Sequence, residues 1–600
     1  MVARTLITTA DERTWPKDTN EPVLFLGEWC RRYSREHVWS KYDAEVAPYH
    51  WDDRTKLYSD YKYITRIYEH FLRLLSRKLN DVHGVNHSLR YWRILIGPWL
   101  GYFIQMLFDR WYMLSITLAN NNVNKMYWLE SDESEFIPND MSEFTAMFVM
   151  DDWNEIVYSQ ILGALYIKEL DVVTVSASRN EKDNTAPKRN SRSLARILFK
   201  KMLFIYNVLV SNKETAFFIS SYLPLKNDLK LQLKLGQLPT IWRSQSCPVA
   251  KSSFEKRENI NCNILDSFDE FSKVVAKLIP KHLPTAYLEG YQKLKSYPYK
   301  LGWPSVPKFI FTSNAYLADD VFKQWAAEKT EINTPLVIGQ HGGHFGMNPF
   351  SFDEEHQIKI ADRWLSWGWS DDSRPQIIPV GNLKDTSNAV EYDPTGGALM
   401  VEMAIPRQSY HLYSIPISRQ WLDYFQDQQL FLKLLPLKLR NKILLRLYSH
   451  DYGWDQFDRW KDTGIEVKYD LGKSNIISLI KKSRLYISTY NATTYLESLN
   501  WNIPTIIFWN PVHWELNEDV APYFMLLKSV GIFHETPESA AQQMIKVWDD
   551  VDVWWKSVEV QAIRMRFCDQ YTKKPKEPLS DLNALFHEIV REFDCFDSDC

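Results

Sequence analysis

From about residue 300 onward, short apolar runs alternate with longer segments whose apolar positions recur every three or four residues. The runs Phe309–Thr312, Leu336–Gly339, Ala398–Ala404, Lys442–Tyr448, Ile465–Tyr469, Leu485–Ser488 and Thr505–Phe508 read as strands, with Trp364–Trp369 and Ile377–Val380 in the same series. Asp319–Glu328, Trp421–Leu434, Ile476–Lys482 and Thr493–Leu499 read as the helices between them. Such alternation predicts βαβ units and parallel sheets, hence an α/β fold. A crossing near 385–395 divides the series into two Rossmann-like domains that would face each other across a cleft.

The N-terminal portion is richer in helical pattern. Its first clear strand is Val23–Glu28, after a polar leader. Tyr58, Tyr61, Ile64, Ile67, Tyr68, Phe71 and Leu74 mark an amphipathic helix, and further helical patterns run through 100–120 and 142–166. Ile94–Phe108 is almost wholly apolar, yet fifteen residues of helix reach only ~22 Å against a hydrocarbon core of ~30 Å. Gly97-Pro98 is expected to interrupt any helix there, so the segment reads as buried core. Residues 179–193 are polar and basic, a loop. Leu194–Val210 follows as a basic amphipathic helix, suited either to an anionic membrane surface or to the outside of a domain. The expected plan is a Rossmann-like domain with helical insertions over residues 1–390 and a second, with terminal helices, over 391–600.

Composition narrows the class. With 45% hydrophobic and 24% charged residues the 600-residue chain is neither mainly disordered nor a polytopic membrane protein. A net charge of −4 gives no general attraction to nucleic acid. Twenty-four Trp and 32 Tyr promise aromatic surface for ring-shaped ligands. Six scattered cysteines without a CxxC pair argue against a disulfide framework or structural zinc, and the polar N-terminus is no secretory signal. A cytoplasmic location is the expectation.

Two segments carry the chemistry. In Leu485–Asn510 a strand ends at Ser488-Thr489, a polar turn follows through Asn491-Ala492, and a helix opens at Thr493-Thr494. That order puts free N–H groups and the positive helix end at the carboxyl edge of a parallel sheet, where phosphate binds. Glu497, one turn on, can accept from ribose hydroxyls. Thr494 and Glu497 equally satisfy a capping box, which would only start a helix. The second segment, Val337–Asn348, runs from a buried strand into Gln340-His341-Gly342-Gly343, where glycines admit a ligand to the backbone and His341 works near neutral pH. It is not a dinucleotide fingerprint, and H-x-x-H with no third ligand does not make a metal site. Glu28, Asp319 and Asp320 lie at strand ends or helix starts as candidate carboxylates, the latter two equally suited to pairing with a helix dipole. Arg407 and Arg446 follow strands, as phosphate partners would.

The strand–turn–helix at 485–510 resembles the nucleotide-binding element in the C-terminal domain of GT-B glycosyltransferases. The blocks FLGEWCRRY (Phe25–Tyr33), IGQHGGHFG, SWGW (Ser366–Trp369), YSHDYGW (Tyr448–Trp454) and STYNATTYLESLNWNIPT (Ser488–Thr505) resemble a bacterial family of transferases from O-antigen and surface-polysaccharide loci. That family is distantly similar to GT-B enzymes that transfer Kdo from CMP-Kdo. The resemblance implies a GT-B-like, metal-independent glycosyltransferase without a cofactor, moving a sugar from a nucleotide-activated donor to a growing surface glycan. The acceptor would be lipid-linked at the inner membrane's cytoplasmic face, with the stretch 188–201 as a peripheral membrane contact. In this reading Ser488, Asn491, Ala492, Thr493, Thr494 and Glu497 hold the donor with Gln340, Gly342, Gly343, Arg407 and Arg446. His341 shuttles the proton, and Glu28, Asp319 and Asp320 are the candidate carboxylates. A GT-B-fold nucleotide-sugar epimerase and a non-catalytic glycan-binding assembly protein are the alternatives.

Overall fold

A computed structural model describes residues 2–130, 132–165, 170–176, 194–260, 262, 268–384 and 390–598. The predicted loop 179–193 and part of the 385–395 crossing lie outside the described residues.

The described residues form three parallel sheets. The N-terminal sheet has strands β1 (Arg4–Ile7), β2 (Val23–Phe25), β3 (Ala44–Val46), β4 (Val123–Glu130) and β5 (Asp171–Ser176), in the order β3-β2-β1-β4-β5. The middle sheet has β6 (Phe217–Phe218), β7 (Ile310–Thr312), β8 (Leu336–Gly339), β9 (Arg363–Ser366) and β10 (Ile377–Pro379), in simple sequential order. The C-terminal sheet has β11 (Gly397–Val401), β12 (Ile443–Arg446), β13 (Lys468–Asp470), β14 (Ser483–Ser488), β15 (Thr505–Phe508) and β16 (Phe533–His534). Its order is β13-β12-β11-β14-β15-β16.

The α/β class and parallel pairing therefore match the sequence pattern, with one sheet more than its two units. That sheet was hard to see because its central strand, β1, is a four-residue run inside the polar leader. Side-chain identity marks strands poorly at that length, whereas pairing on both edges, Thr5 to Val23 and to Lys125, defines it at once.

Ile94–Phe108 is core, as its length required, but Gly97-Pro98 does not break it. One helix runs unbroken over Leu89–Asn120 with Pro98 inside. Packing accounts for the tolerance. A Cβ on Gly97 would lie 2.9 Å from His356 and from the Tyr68 hydroxyl, and one on Gly101 would overlap the Phe352 ring. Small residues thus let helix Phe352–Ile360 and helix Arg54–His83 close on this rod, and burial offsets the lost hydrogen bond. Among the described residues no helix is long and apolar enough to cross a membrane.

The long helix also fixes the C-terminal sheet's position. Arg110, fully buried, donates to the Ser409 carbonyl at 2.7 Å, and Gln105 accepts from the Leu412 N–H at 2.7 Å. Arg54 grips Glu515 with two bonds of 2.7 and 2.8 Å. The chain finally returns, for helix Pro578–Ser598 packs on the middle sheet, Phe586 stacking on Phe309 at 4.5 Å. Much of the tryptophan expected at the surface is spent on packing: fourteen of the 24, Trp29, Trp364, Trp421 and Trp509 among them, are at most 2% exposed.

Candidate functional site

At the C-terminal sheet, β14 ends in Ser488 and the chain turns through Thr489–Ala492 into helix Thr493–Asn500. The turn is braced from below. Thr489 donates to the Val401 carbonyl at 2.8 Å, the Ser488 hydroxyl donates to the Tyr490 carbonyl, and Asn491 accepts from the Tyr495 hydroxyl at 3.0 Å. Ala492 occupies the N-cap and no side chain caps the helix, so the capping box is not formed. Thr494 accepts from the Tyr486 hydroxyl at 2.7 Å, and Glu497 reaches outward to Lys384 at 2.7 Å. First-turn amides left without a side-chain cap are what an anion requires.

The middle sheet supplies the opposing wall. Beyond β8, Gln340 continues the ladder, its N–H bonding the Leu365 carbonyl at 2.9 Å. Its side chain is committed to shape: it donates to the Gly342 carbonyl at 2.7 Å and accepts from Trp367 N–H at 2.8 Å and Trp369 Nε1 at 3.1 Å. The SWGW block is thus the clamp of the glycine loop, and Gln340 acts through it. Gly346, at φ +74°, packs on the Trp369 indole. Gly343 meets the facing sheet directly: a Cβ there would lie 2.5 Å from the Ala492 carbonyl and 2.7 Å from Thr493 N. The two segments singled out by sequence, nearly 150 residues apart, therefore touch.

Around that contact lies an ionisable and aromatic cluster. His341 is buried enough to be pushed down to about 4, and its Nδ1 is buried without a hydrogen-bond partner. The rings of Tyr222, Tyr316 and Phe345 stand 5.2 to 6.0 Å away. Asp353, in the first turn of helix Phe352–Ile360, is raised to about 6 by burial, against which the Tyr102 hydroxyl, 3.0 Å from both carboxylate oxygens, and the nearby His341 pull down. His411 Nε2 is 3.4 Å from Asp353. Tyr102, His411, Tyr413 and His344 form a column of rings with centroids 4.7 to 4.9 Å apart. The column is pinned where Phe352 N–H bonds the Leu412 carbonyl at 3.1 Å.

Sequence reasoning missed Asp353, Tyr102, His411 and Tyr413. The available signal was Ser351-Phe-Asp-Glu-Glu directly after the glycine block, an N-cap followed by three acids. A helix-dipole role explains those acids equally well without the fold.

The remaining predicted residues disperse. Asp320 is structural, accepting from Met141 N–H at 2.7 Å and the Tyr287 hydroxyl at 2.6 Å and pairing with buried Lys323 at 2.8 Å. Asp319 caps helix Asp320–Thr330 through Phe322 N–H at 3.0 Å, and burial raises it to about 6. Glu28 pairs with Arg31 beside β2, in the N-terminal sheet. Arg407 joins Asp151 at 2.7 Å and the Trp29 carbonyl, tying the N-terminal sheet to the C-terminal one. Arg446, at the end of β12, binds Asp470 at 2.6 Å and the Ser474 carbonyl at 2.8 Å. A cavity of about 320 Å³ opens beyond β12, lined by Leu447–Ser449, Asp451 and Lys473. Among the described residues no three His, Cys, Asp or Glu converge as a metal-binding group.

The family described as LIC12162 family transferase matches residues 4–586. No curated protein matches the chain. Solved structures match weakly. A variant of the wall teichoic acid polymerase TagF, soaked with CDPG, is 12% identical over 66% of this chain and 98% of its own, at a TM-score of 0.31. A UDP-forming α,α-trehalose-phosphate synthase from Burkholderia vietnamiensis is 10% identical over 51% and 77%, at 0.30. The S. aureus MnaA–UDP structure is 8% identical over 62% and 95%, at 0.35.

Proposed function

The chain belongs to the LIC12162 family transferases, and from that premise we propose that it is a glycosyltransferase of GT-B-like build, using a nucleotide-activated sugar. One observation carries the reading: an uncapped helix N-terminus at one parallel sheet's carboxyl edge is faced, at touching distance, by a glycine loop bearing His341, whose Nδ1 has no hydrogen-bond partner. In this arrangement the donor's phosphate rests on the amides of Thr493 and Thr494 and their hydroxyls, with Glu497 toward the ribose. Arg446 and the cavity beyond β12 bound the nucleotide's side of the cleft.

Asp353 is the better base. A carboxylate raised to about 6 accepts a proton near neutral pH more readily than an imidazole pushed down to about 4. Asp353 takes the proton of the acceptor hydroxyl, whose oxygen bonds to the anomeric carbon as the bond to the phosphate oxygen breaks. His341 donates a hydrogen bond within the cleft, and the departing phosphate charge collects at the helix end. The donor we favour is CMP-Kdo or a similar nucleotide sugar, and the acceptor a lipid-linked surface glycan.

A peripheral membrane contact accords with helix Leu194–Val210, where Leu198, Met202, Ile205 and Leu209 form a solvent-facing stripe, each more than half exposed. Residues 188–201 carry six basic side chains and no acidic one, so an anionic lipid surface is the occupant we assign, on the cytoplasmic face. Co-sedimentation with phosphatidylglycerol vesicles, lost in Met202→Glu with Leu209→Glu, is the expected result. Binding that is equal on phosphatidylcholine, or unchanged in the variant, removes this contact.

The reading is tested by thermal-shift titration with CMP, UDP, GDP, ADP and NAD. A ligand at 100 times its Kd stabilises the fold by about 2.7 kcal/mol. A shift with CMP alone supports the Kdo-type donor, and one with UDP or GDP keeps the reaction and changes the sugar. No shift with any nucleotide favours a glycan-binding assembly protein. Sugar turnover without acceptor favours an epimerase.

A further inference from the structure

Asp319 is unexplained by the site so far. It lines a cavity of about 820 Å³ at the carboxyl ends of β6 and β7, between Ser220, Asn314 and the 244–247 segment. The residue is only 7% exposed, and its Oδ2 lacks a partner at hydrogen-bond geometry, with the Ser244 hydroxyl of the cavity wall near enough to favour the ionised form. Oδ1 holds the helix cap at 3.0 Å, so the free oxygen is presented by a carboxylate already fixed in place. Asp140 and Glu143 line the same cavity, and among its described lining residues none is basic. The buried cation Lys323 sits behind the wall, paired with Asp320 at 2.8 Å. Around the carboxylates stand Ser142, Ser244, Gln245 and Ser246, neutral groups that both donate and accept.

The cavity is next to the cleft. Asn314 in its wall donates to the Tyr222 hydroxyl at 3.2 Å, and the Tyr222 ring lies 5.9 Å from His341. Its volume is far larger than a bare metal ion needs and falls in the range of small-molecule sites. An unpaired buried carboxylate costs free energy that a cation would recover, whereas a phosphate or carboxylate ligand would be repelled.

We propose that this cavity binds an amino-bearing, hydroxyl-rich group, its ammonium on Asp319 and its hydroxyls on the serine and amide wall. Resting on the glycosyl-transfer reading, the inference makes this group part of the acceptor: an amino sugar with a free ammonium, in place of an anionic unit.

The test is direct binding to the full chain, followed by saturation-transfer NMR with glucosamine, N-acetylglucosamine and glucose at neutral pH. Glucosamine is expected to bind about tenfold tighter than the other two, the worth of one charge-assisted hydrogen bond. Asp319→Asn keeps the capping oxygen and should level the three sugars without lowering the melting temperature. Ala146→Trp, from the exposed rim, should abolish binding of all three. Equal binding of the three sugars to the parent chain overturns the proposal, as does glucosamine binding unaltered in both variants. Displacement of glucosamine by Mg²⁺ at equal concentration overturns it too, in favour of a simple cation site. Because nucleotide is absent from this experiment, its result stands apart from the nucleotide titration, and either reading can fall while the other survives.

Discussion

The carboxyl edges of the middle and C-terminal sheets face one another but hold opposite chemistry. On the middle sheet, burial raises carboxylates toward neutrality, Asp319 and Asp353 to about 6 and Glu354 to about 7, and holds His341 and His344 neutral. The C-terminal edge offers N–H donors of an uncapped helix and threonine hydroxyls. In the proposed reaction, proton acceptors thus confront anion donors across a seam where Gly343 packs on Ala492 and the Tyr495 hydroxyl meets Met347. Group transfer from an anionic leaving group to a hydroxyl needs that polarity, and two identical edges would not provide it.

Removing the proton acceptor should have the largest effect. Asp353→Asn is expected to lower kcat by about 10²–10⁴-fold, the usual worth of a general base. Burial raises Asp353 to about 6, and only its ionised form accepts a proton. The parent's acceptor kcat/KM should therefore climb with pH up to about 6 and then level, and the variant should lose that limb. A variant with an unaltered limb would transfer the role to another group. His341→Ala should abolish most transfer with near-parental melting, whereas unfolding would make His341 a packing residue.

Next in size is the contact itself. Gly343→Val puts carbon where the Ala492 carbonyl already sits, which should cost about 1–3 kcal/mol through forced separation of the two edges. Activity should fall further than stability, because both walls move apart. A variant as active as the parent would mean that the sheets work without touching.

How much of this was legible beforehand follows from the reach of each signal. The turn at Asn491–Thr494 and the glycine loop were readable because both are local: a strand, a tight turn and a helix are specified by consecutive residues. Their meeting was not, since no periodicity relates Gly343 to Ala492. The arginines show the same limit. Arg407 and Arg446 both follow strands, but one braces the N-terminal sheet through Asp151 and the other closes a loop on Asp470. Which strand end faces the cleft depends on sheet order. β1, four residues in a polar leader, and the unbroken helix through Pro98 were set by tertiary packing that overrides local preference.

Smaller losses should follow on the anion side, because several weak donors share the work. Thr493→Ala with Thr494→Ala removes two hydroxyls and leaves the amides, so nucleotide affinity should drop about fivefold to tenfold, near 1 kcal/mol for a neutral hydrogen bond. Isothermal titration measures it. Unchanged affinity would return the threonines to helix initiation alone.

The smallest effect is the most discriminating. Glu497 is mostly buried and its partner Lys384 is partly exposed, at 2.7 Å, so the pair contributes little stability, below about 1 kcal/mol. If Glu497 receives the ribose it must loosen its hold on Lys384, and Lys384→Ala should then tighten nucleotide binding about twofold, within that same energy. Glu497→Gln should weaken it in both backgrounds. If Lys384 itself meets the phosphate, its loss weakens binding and steepens no part of the Glu497 response. The sign of a twofold change thus decides whether the lysine guards the nucleotide site or belongs to it, and whether the C-terminal edge is fully open before the donor arrives.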